Sequence, residues 1–395
     1  MADTRLMPLA GINNRAEDAA LVRGGDSPAV WVREALNVDI TETGRLNMRG
    51  QVRAVTQTPY KHLWFSALHG DLFGVLGTRW VKIHPDDWSY EELADLGGSW
   101  ASHCVIDQRV AVAGADGIFV YDGTKAEPLQ MHTPGMPAVS DLDGSLPPGD
   151  YGVAVSWLRG SLESSVSEVA FGPAQSGGLR VSFPFSLDDS VTGVRLYMTK
   201  PGSRELQRVG DYLVSAQAAD VVAPPALGGS PEFQHLDAMP SGRFMHHWRG
   251  RLLTCTARTL HFSKPMAVHL HDCRHDFVQL PQRITFVAPV EGGIWVGQVD
   301  HIVFLSGTQP DDLVVRRLAG QPPIQGSATL VPAEQLGELA GGNAAALWLS
   351  ANGYVVGTSE GEIVELHRTV LTGIAATAGA TVLVGERLLT VLQPA

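Results

Sequence analysis

The densest group of ligating side chains in the sequence is HLHDCRHDF, in which His269, His271, Asp272, Cys273, His275 and Asp276 fall within eight residues. Imidazole and thiolate are donors that zinc favours, and residues two apart on an extended strand share a face. His269, His271 and Cys273, with His275 beside them, could thus converge on a metal. A structural zinc site draws four donors, commonly from two clusters, and no second cluster is evident. The competing reading is a connecting loop whose polar groups satisfy the backbone or meet a subunit. We expect neither a resident metal nor a cofactor, with these four residues as the metal candidates.

Other groups that do chemistry elsewhere have structural readings here. His246 and His247 are adjacent, so on a strand their rings point to opposite sides and do not act jointly, one being expected buried and the other exposed. A glycosidase needs two carboxyls held roughly 5 to 10 Å apart across a sugar. The pairs Asp86-Asp87, Asp188-Asp189 and Asp311-Asp312 lie instead in turn-like settings, where an aspartate bonds the backbone two residues on. No Gly-x-Ser-x-Gly elbow, phosphate-binding loop or dinucleotide fingerprint occurs. Of the nine tryptophans, Trp295 and Trp348 stand in apolar runs and read as core, whereas Trp88 and Trp100 read as surface candidates. The chain is therefore expected not to be an enzyme.

The elements that hold these residues are strands. Hydrophobic residues form 44% of the 395 residues and charged ones 18%, enough apolar material for a packed interior and too little charge for disorder. Apolar runs of four to six residues alternate with Gly, Asp or Asn, the pattern of strands joined by tight turns. Only 16–22 and 332–340 suggest a helical turn or two. The net charge of −12 disfavours a sequence-independent grip on nucleic acid, which needs clustered Lys and Arg, and no sequence-specific binding is expected either. Three widely spaced cysteines, Cys104, Cys255 and Cys273, argue against a disulfide framework. The opening lacks the apolar core of a secretory signal, and no run approaches the roughly 18 residues of a transmembrane helix, so synthesis in a cytosol is expected.

Six loose repeat copies appear: HGDLFGVLGTRWVKIH from His69, DQRVAVAGADGIFVYDG from Asp107, RGRLLTCTARTLHFSKP from Arg249, EGGIWVGQVDHIVFLSG from Glu291, AALWLSANGYVVGTSEGEIVEL from Ala345 and GATVLVGERLLTVLQ from Gly379. Neighbouring copies lie about 40 residues apart, the spacing of β-propeller blades. A ring of sheets packed face to face buries what one small sheet leaves wet. Positive-φ turns are expected at Ala115-Asp116-Gly117 and Asn352-Gly353. Residues 137–231 break the rhythm with PGDYGVAVSWLRG, SSVSEVAFG, GGLRVSFPF, TGVRLYMTK and QRVGDYLV, alternating strands that suit an immunoglobulin- or fibronectin-like sandwich. The expected fold is all-β: a propeller of about six blades, five to seven being allowed, with that sandwich inserted. Its parts would be an N-terminal docking arm with a first strand (1–50), propeller (51–136), sandwich (137–231) and propeller again (232–395).

Several motifs are similar to those of one family. Gly-Ile-Asn-Asn at Gly11 to Asn14 and the Asn-Val-Asp-x-x-x-x-Gly-x-Leu pattern at Asn37 to Leu46 resemble the entry segment of bacteriophage tail proteins of the hub, nozzle and tail-tip type. HFSKP at His261, FLSGTQPDDL from Phe304 and LWLSANGYVVGTSEGEIVEL from Leu347 extend the likeness over most of the chain, and the LPPGDYGVAVSW opening resembles fibronectin-like modules. The resemblance implies a structural part of a virion tail, made in the host cytoplasm. It would be arranged as a homo-oligomeric ring with other tail proteins as partners, serving assembly, attachment and genome delivery. Asn13, Asn14, Trp31, Trp88 and Trp100 are the interface candidates, and DDWSYEELADLGGSW from Asp86 is expected to be a docking loop. A host-surface adhesin that binds a receptor or glycan is the alternative; a carbohydrate-cleaving propeller ranks last.

Overall fold

The repeat copies locate hairpins, and each of the first five hairpins lies inside a larger antiparallel sheet. The computed structural model describes residues 8–23, 29–50, 53–385 and 387–395; the expected arm therefore has two stretches, 1–7 and 24–28, outside the described residues. Five four-stranded sheets run in simple up-and-down order. The first is Lys61–Ser66, Asp71–Leu76, Arg79–Ile83 and Tyr90–Asp95, and the second Ser102–Ile106, Arg109–Ala113, Ile118–Tyr121 and Ala126–Pro128. The third is Arg243–Trp248, Arg251–Thr256, Thr259–Phe262 and Phe277–Gln279; the fourth Ile284–Val290, Gly293–Gln298, Ile302–Ser306 and Val314–Leu318; the fifth Thr329–Pro332, Ala344–Ser350, Gly353–Gly357 and Ile363–Glu365. The sixth copy forms only a two-stranded hairpin, Ala378–Val384 with Arg387–Gln393. The two expected helical stretches hold one 3-10 turn at Asp18–Ala20 and short turns at Ala333–Leu336 and Gly337–Ala340.

Turn chemistry follows the handedness of the strands. The Ile106 to Arg109 hairpin turns through Asp107 and Gln108, both left-handed at φ 49° and 57°, and Arg249-Gly250 does the same at 49° and 74°. Such turns match the twist of the strands they join. Ala257 occupies a like position at φ 48°, where its Cβ is a liability. Of the turns expected from sequence, Gly117 and Gly353 have positive φ.

The contacts divide the chain into two compact units, 1–59 with 280–395, and 60–279. In the second unit the first three sheets stack face to face. Phe73 and Trp80 of the first pack on Val110, Val112 and Tyr121 of the second, and Cys104, Ile106 and Ala111 of the second pack on Met245 and Leu252 of the third. Ser102 Oγ accepts the Met245 N–H at 2.7 Å, joining the leading strands of the second and third sheets. Between these two adjacent sheets the chain departs to form a three-stranded sheet (Ala138–Asp143, Gly177–Ser182, Ala218–Val221) and a five-stranded one. The latter contains Asp150–Arg159, Leu162–Glu163, Ala170–Pro173, Gly193–Met198 and Gln207–Leu213. Both sheets bury one core that includes Tyr151, Val153, Trp157, Leu179, Val194 and Leu196.

In the other unit the fourth and fifth sheets share Phe286, Trp295, Phe304, Trp348 and Val355. Trp295 and Trp348 are fully buried with ring centroids 5.5 Å apart, as their apolar runs led us to expect. They close over Gly357, where an added Cβ would lie 2.6 Å from one ring and 2.7 Å from the other. Each such aromatic contributes roughly 1.5–3 kcal/mol through burial. The stretch expected to dock as a loop is instead ordered as the outermost strand of the first sheet, Tyr90–Asp95, entered through a turn at Asp87.

Candidate functional site

The HLHDCRHDF segment is a loop pinned from several sides. Asp272 accepts bonds from the Arg274 guanidinium, at 3.0 Å to each carboxylate oxygen, and from the Arg274 N–H. Asp276 pairs with Lys264 at 2.9 Å and with Arg251 at 3.4 Å. The Arg274 hydrogen bonds hold the Asp272 carboxyl well below its usual range despite its burial. His269 Nε2 lies 2.9 Å from the Glu163 carbonyl and His271 Nδ1 2.9 Å from the Phe262 carbonyl, so both buried rings are committed to backbone. Cys273 and His275 point outward, and burial of His269 lowers its pKa. The expectation that His269, His271 and Cys273 share a strand face is corrected: only Leu270–His271 is strand, and turns on either side send the side chains apart. No group of three or more metal-ligating side chains forms among the described residues.

Sequence reasoning missed a histidine contact one layer in. His261 and His271 meet edge to face with centroids 5.3 Å apart, and His261 Nε2 lies 2.7 Å from Thr256 Oγ1. Burial pushes the His261 pKa down to about 4. His103 stacks flat on Trp64 at 5.3 Å, and burial takes its pKa down to about 3. His246 is half-buried, and exposed His247 accepts the Gly250 N–H at 3.2 Å.

One aspartate of each pair caps a turn. Asp87 accepts from the Ser89 N–H and hydroxyl, Asp188 from the Ser190 N–H, and Asp312 from the N–H groups of Thr308 and Gln309.

The interface candidates are largely spent inside the chain. Asn13 Oδ1 accepts the N–H groups of Arg15 and Ala16. Asn14 exchanges two bonds with the Thr372 backbone, and its own N–H donates to the Val370 carbonyl at 3.0 Å. The expected docking arm is thus tied at Asn14 to the segment 370–372 of its own unit. Trp31 is half-buried with its ring against Gly11. Trp100 is half-buried beneath the Arg243 guanidinium, 4.9 Å from the ring centroid. Trp88 is half-buried at φ 60°, and its carbonyl accepts the Tyr60 hydroxyl at 2.7 Å.

Two features had no sequence expectation. On the five-stranded sheet, Glu163 accepts from Ser156 at 2.6 Å and from Tyr197 and Arg195 at 2.5 Å, while Arg195 also grips Asp211 at 2.7 and 3.0 Å. At the edge of the same pair of sheets, Phe185 and Leu187 are 88% and 92% exposed in the segment FPFSLDDS. Phe183 of the same run packs on the core against Tyr212, so spacing alone did not mark Phe185 and Leu187 as exposed; the Glu163 network, assembled by strand register, left no signal either.

Five up-and-down four-stranded sheets, stacked on one another within each unit, define an all-β protein of the β-propeller class. Among the described residues no helix is long and apolar enough to cross a membrane. No protein-family model matches the sequence, and no curated protein matches it. Among solved structures, the chain is similar to a gluconolactonase from Xanthomonas campestris at 13% identity and a TM-score of 0.35, covering 85% of this chain and 84% of that one. It is similar to BBS1N in its complex with ARL6DN at 13% identity and 0.33, covering 85% and 89%. KlHsv2 with a replaced loop follows at 10% identity and 0.31, covering 85% and 89%. The class rests on the strand ladders.

Proposed function

We propose that this chain is a structural component of a bacteriophage tail, of the hub, nozzle or tail-tip kind, and not an enzyme. It is incorporated into the virion as repeated copies in a ring with other tail proteins. The observation that carries the reading is the use made of the chain's reactive groups. The histidines at 269 and 271, one aspartate of each pair (Asp87, Asp188 and Asp312) and Asn13-Asn14 are bonded to backbone that they hold in place. Polar groups used in this way build a rigid body, which is what a tail part requires. The tail motifs at Gly11 to Asn14 and Asn37 to Leu46 supply the viral attribution. The paired sheets of 138–221 are read as the fibronectin-like module. Purified particles should contain the chain in fixed stoichiometry by quantitative mass spectrometry; particles that assemble at normal yield without it would remove the reading.

The adhesin alternative is favoured by one feature, the exposed Phe185 and Leu187 on the inserted module. A glycan array probed with purified chain separates the two. The tail-part reading expects background signal, whereas saturable binding abolished by Phe185→Ser would move the assignment to attachment.

A further inference from the structure

An outermost strand carries a row of backbone groups that nothing in its own sheet satisfies, and proteins guard such edges with charge, bulges or brevity. The outer strand of the fourth sheet, Val314–Leu318, sets two exposed valines beside two exposed arginines. Val314 and Val315 are 62% and 52% exposed, Arg316 and Arg317 are exposed, and neither arginine has an ion-pair partner among the described residues. The outer strand of the first sheet, Tyr90–Asp95, has the opposite character: Tyr90, Glu91 and Glu92 are exposed, Glu91 has no ion-pair partner among the described residues, and Glu92 lies 3.9 Å from Arg79.

We propose that these two edges pair between copies of this chain, the Val314–Leu318 strand of one copy adding to the Tyr90–Glu92 edge of the next. In an antiparallel ladder the sequences VVRRL and YEEL set Leu318 opposite Tyr90, Arg317 opposite Glu91 and Arg316 opposite Glu92. Val315 then reaches Leu93, where the existing bulge ends the regular register. Adjacent strand residues face opposite ways, so the two charge pairs form on the two faces of the joint sheet and both faces reject the contact if the charges match. Because the two edges differ, the contact is head-to-tail, the kind that propagates into a ring or a filament. The inference deepens the reading of the chain as a repeated tail part. Its occupant, a second copy of the chain, follows from the complementarity of the two strands.

Sedimentation velocity of the full chain over a range of concentrations provides the test. The wild type should associate reversibly. Arg316→Glu with Arg317→Glu, or Glu91→Arg with Glu92→Arg, should weaken association at least tenfold while leaving the far-ultraviolet circular dichroism unchanged, since all four positions are exposed. An equimolar mixture of the two variants, or one chain carrying all four changes, should restore it. In a Cys273→Ser background, Glu91→Cys and Arg317→Cys should form a disulfide between copies. A monomeric wild type, or association indifferent to both reversals, would overturn the proposal. Charge-indifferent association would still leave the tail-part reading standing, and particles lacking the chain would remove that reading while leaving this contact intact.

Discussion

Asn14 and the backbone of Thr372, 358 residues apart in sequence, exchange two hydrogen bonds: Asn14 Nδ2 donates to the Thr372 carbonyl at 2.8 Å and the Thr372 N–H donates to Asn14 Oδ1 at 2.9 Å. The amide side chain imitates a strand partner, closing the beginning of the chain onto the segment that follows the fifth sheet. Asparagine alone supplies a donor and an acceptor at this length, so Asn14→Ala loses both bonds and Asn14→Asp turns the donor into a repelling acceptor. The bonds are exposed, so each variant should lower stability by about 0.5–1.5 kcal/mol, read as a shift in the urea midpoint at unchanged slope. An unshifted midpoint for both would show that the tie contributes nothing.

Gly357 and Ala257 make opposite predictions from backbone geometry. Gly357→Ala places a methyl between Trp295 and Trp348 and should cost about 1–3 kcal/mol, the usual penalty of overpacking. Ala257→Gly relieves a left-handed residue in an exposed hairpin turn and should stabilise by roughly 0.5–1 kcal/mol. Thermal melts of the two variants should move in opposite directions.

Acid sensitivity follows from the buried imidazoles. His103 and His261 have folded pKa values of about 3 and about 4, below the ordinary 6.5, so unfolding takes up protons. Their contribution is fully present above about pH 6.5 and declines as pH falls from there toward the folded values. His103→Phe keeps the ring stacked on Trp64 and removes the titration. The variant should lose less stability than the wild type between pH 7 and pH 5, and parallel pH profiles would contradict the assignment.

Zinc should not stabilise the chain. His269 and His271 are bonded to carbonyls, and Cys273 and His275 face outward, so a metal would have to dismantle the loop to gain its ligands. Excess zinc should leave the melting temperature within error. A rise that scales with the logarithm of zinc concentration would reveal a site.

The middle hairpin of each sheet was legible because its apolar runs are buried on both faces. The outer strands were not. Ala126–Pro128 is three residues long and Tyr90–Asp95 is largely exposed, so neither length nor apolarity marks them. The leading strands of the first and third sheets were obscured by local twists: left-handed residues at His62 and Phe244 coincide with register shifts that break the two-residue alternation in KHLWFS and RFMHHW. At the candidate site, turn-capping aspartates were readable because their partners lie two to four residues away. The Asn14 tie and the Glu163 network were not, since the fold alone brings their members together.

Imaging whole particles tests the tail assignment most directly. An epitope inserted at Gly202, in an exposed turn with open space around it, marks the chain without disturbing a sheet. Electron microscopy of antibody-decorated virions should show label confined to the tail and repeated around its axis. Label absent from intact particles, or scattered over the capsid, would contradict the assignment of this protein to the tail.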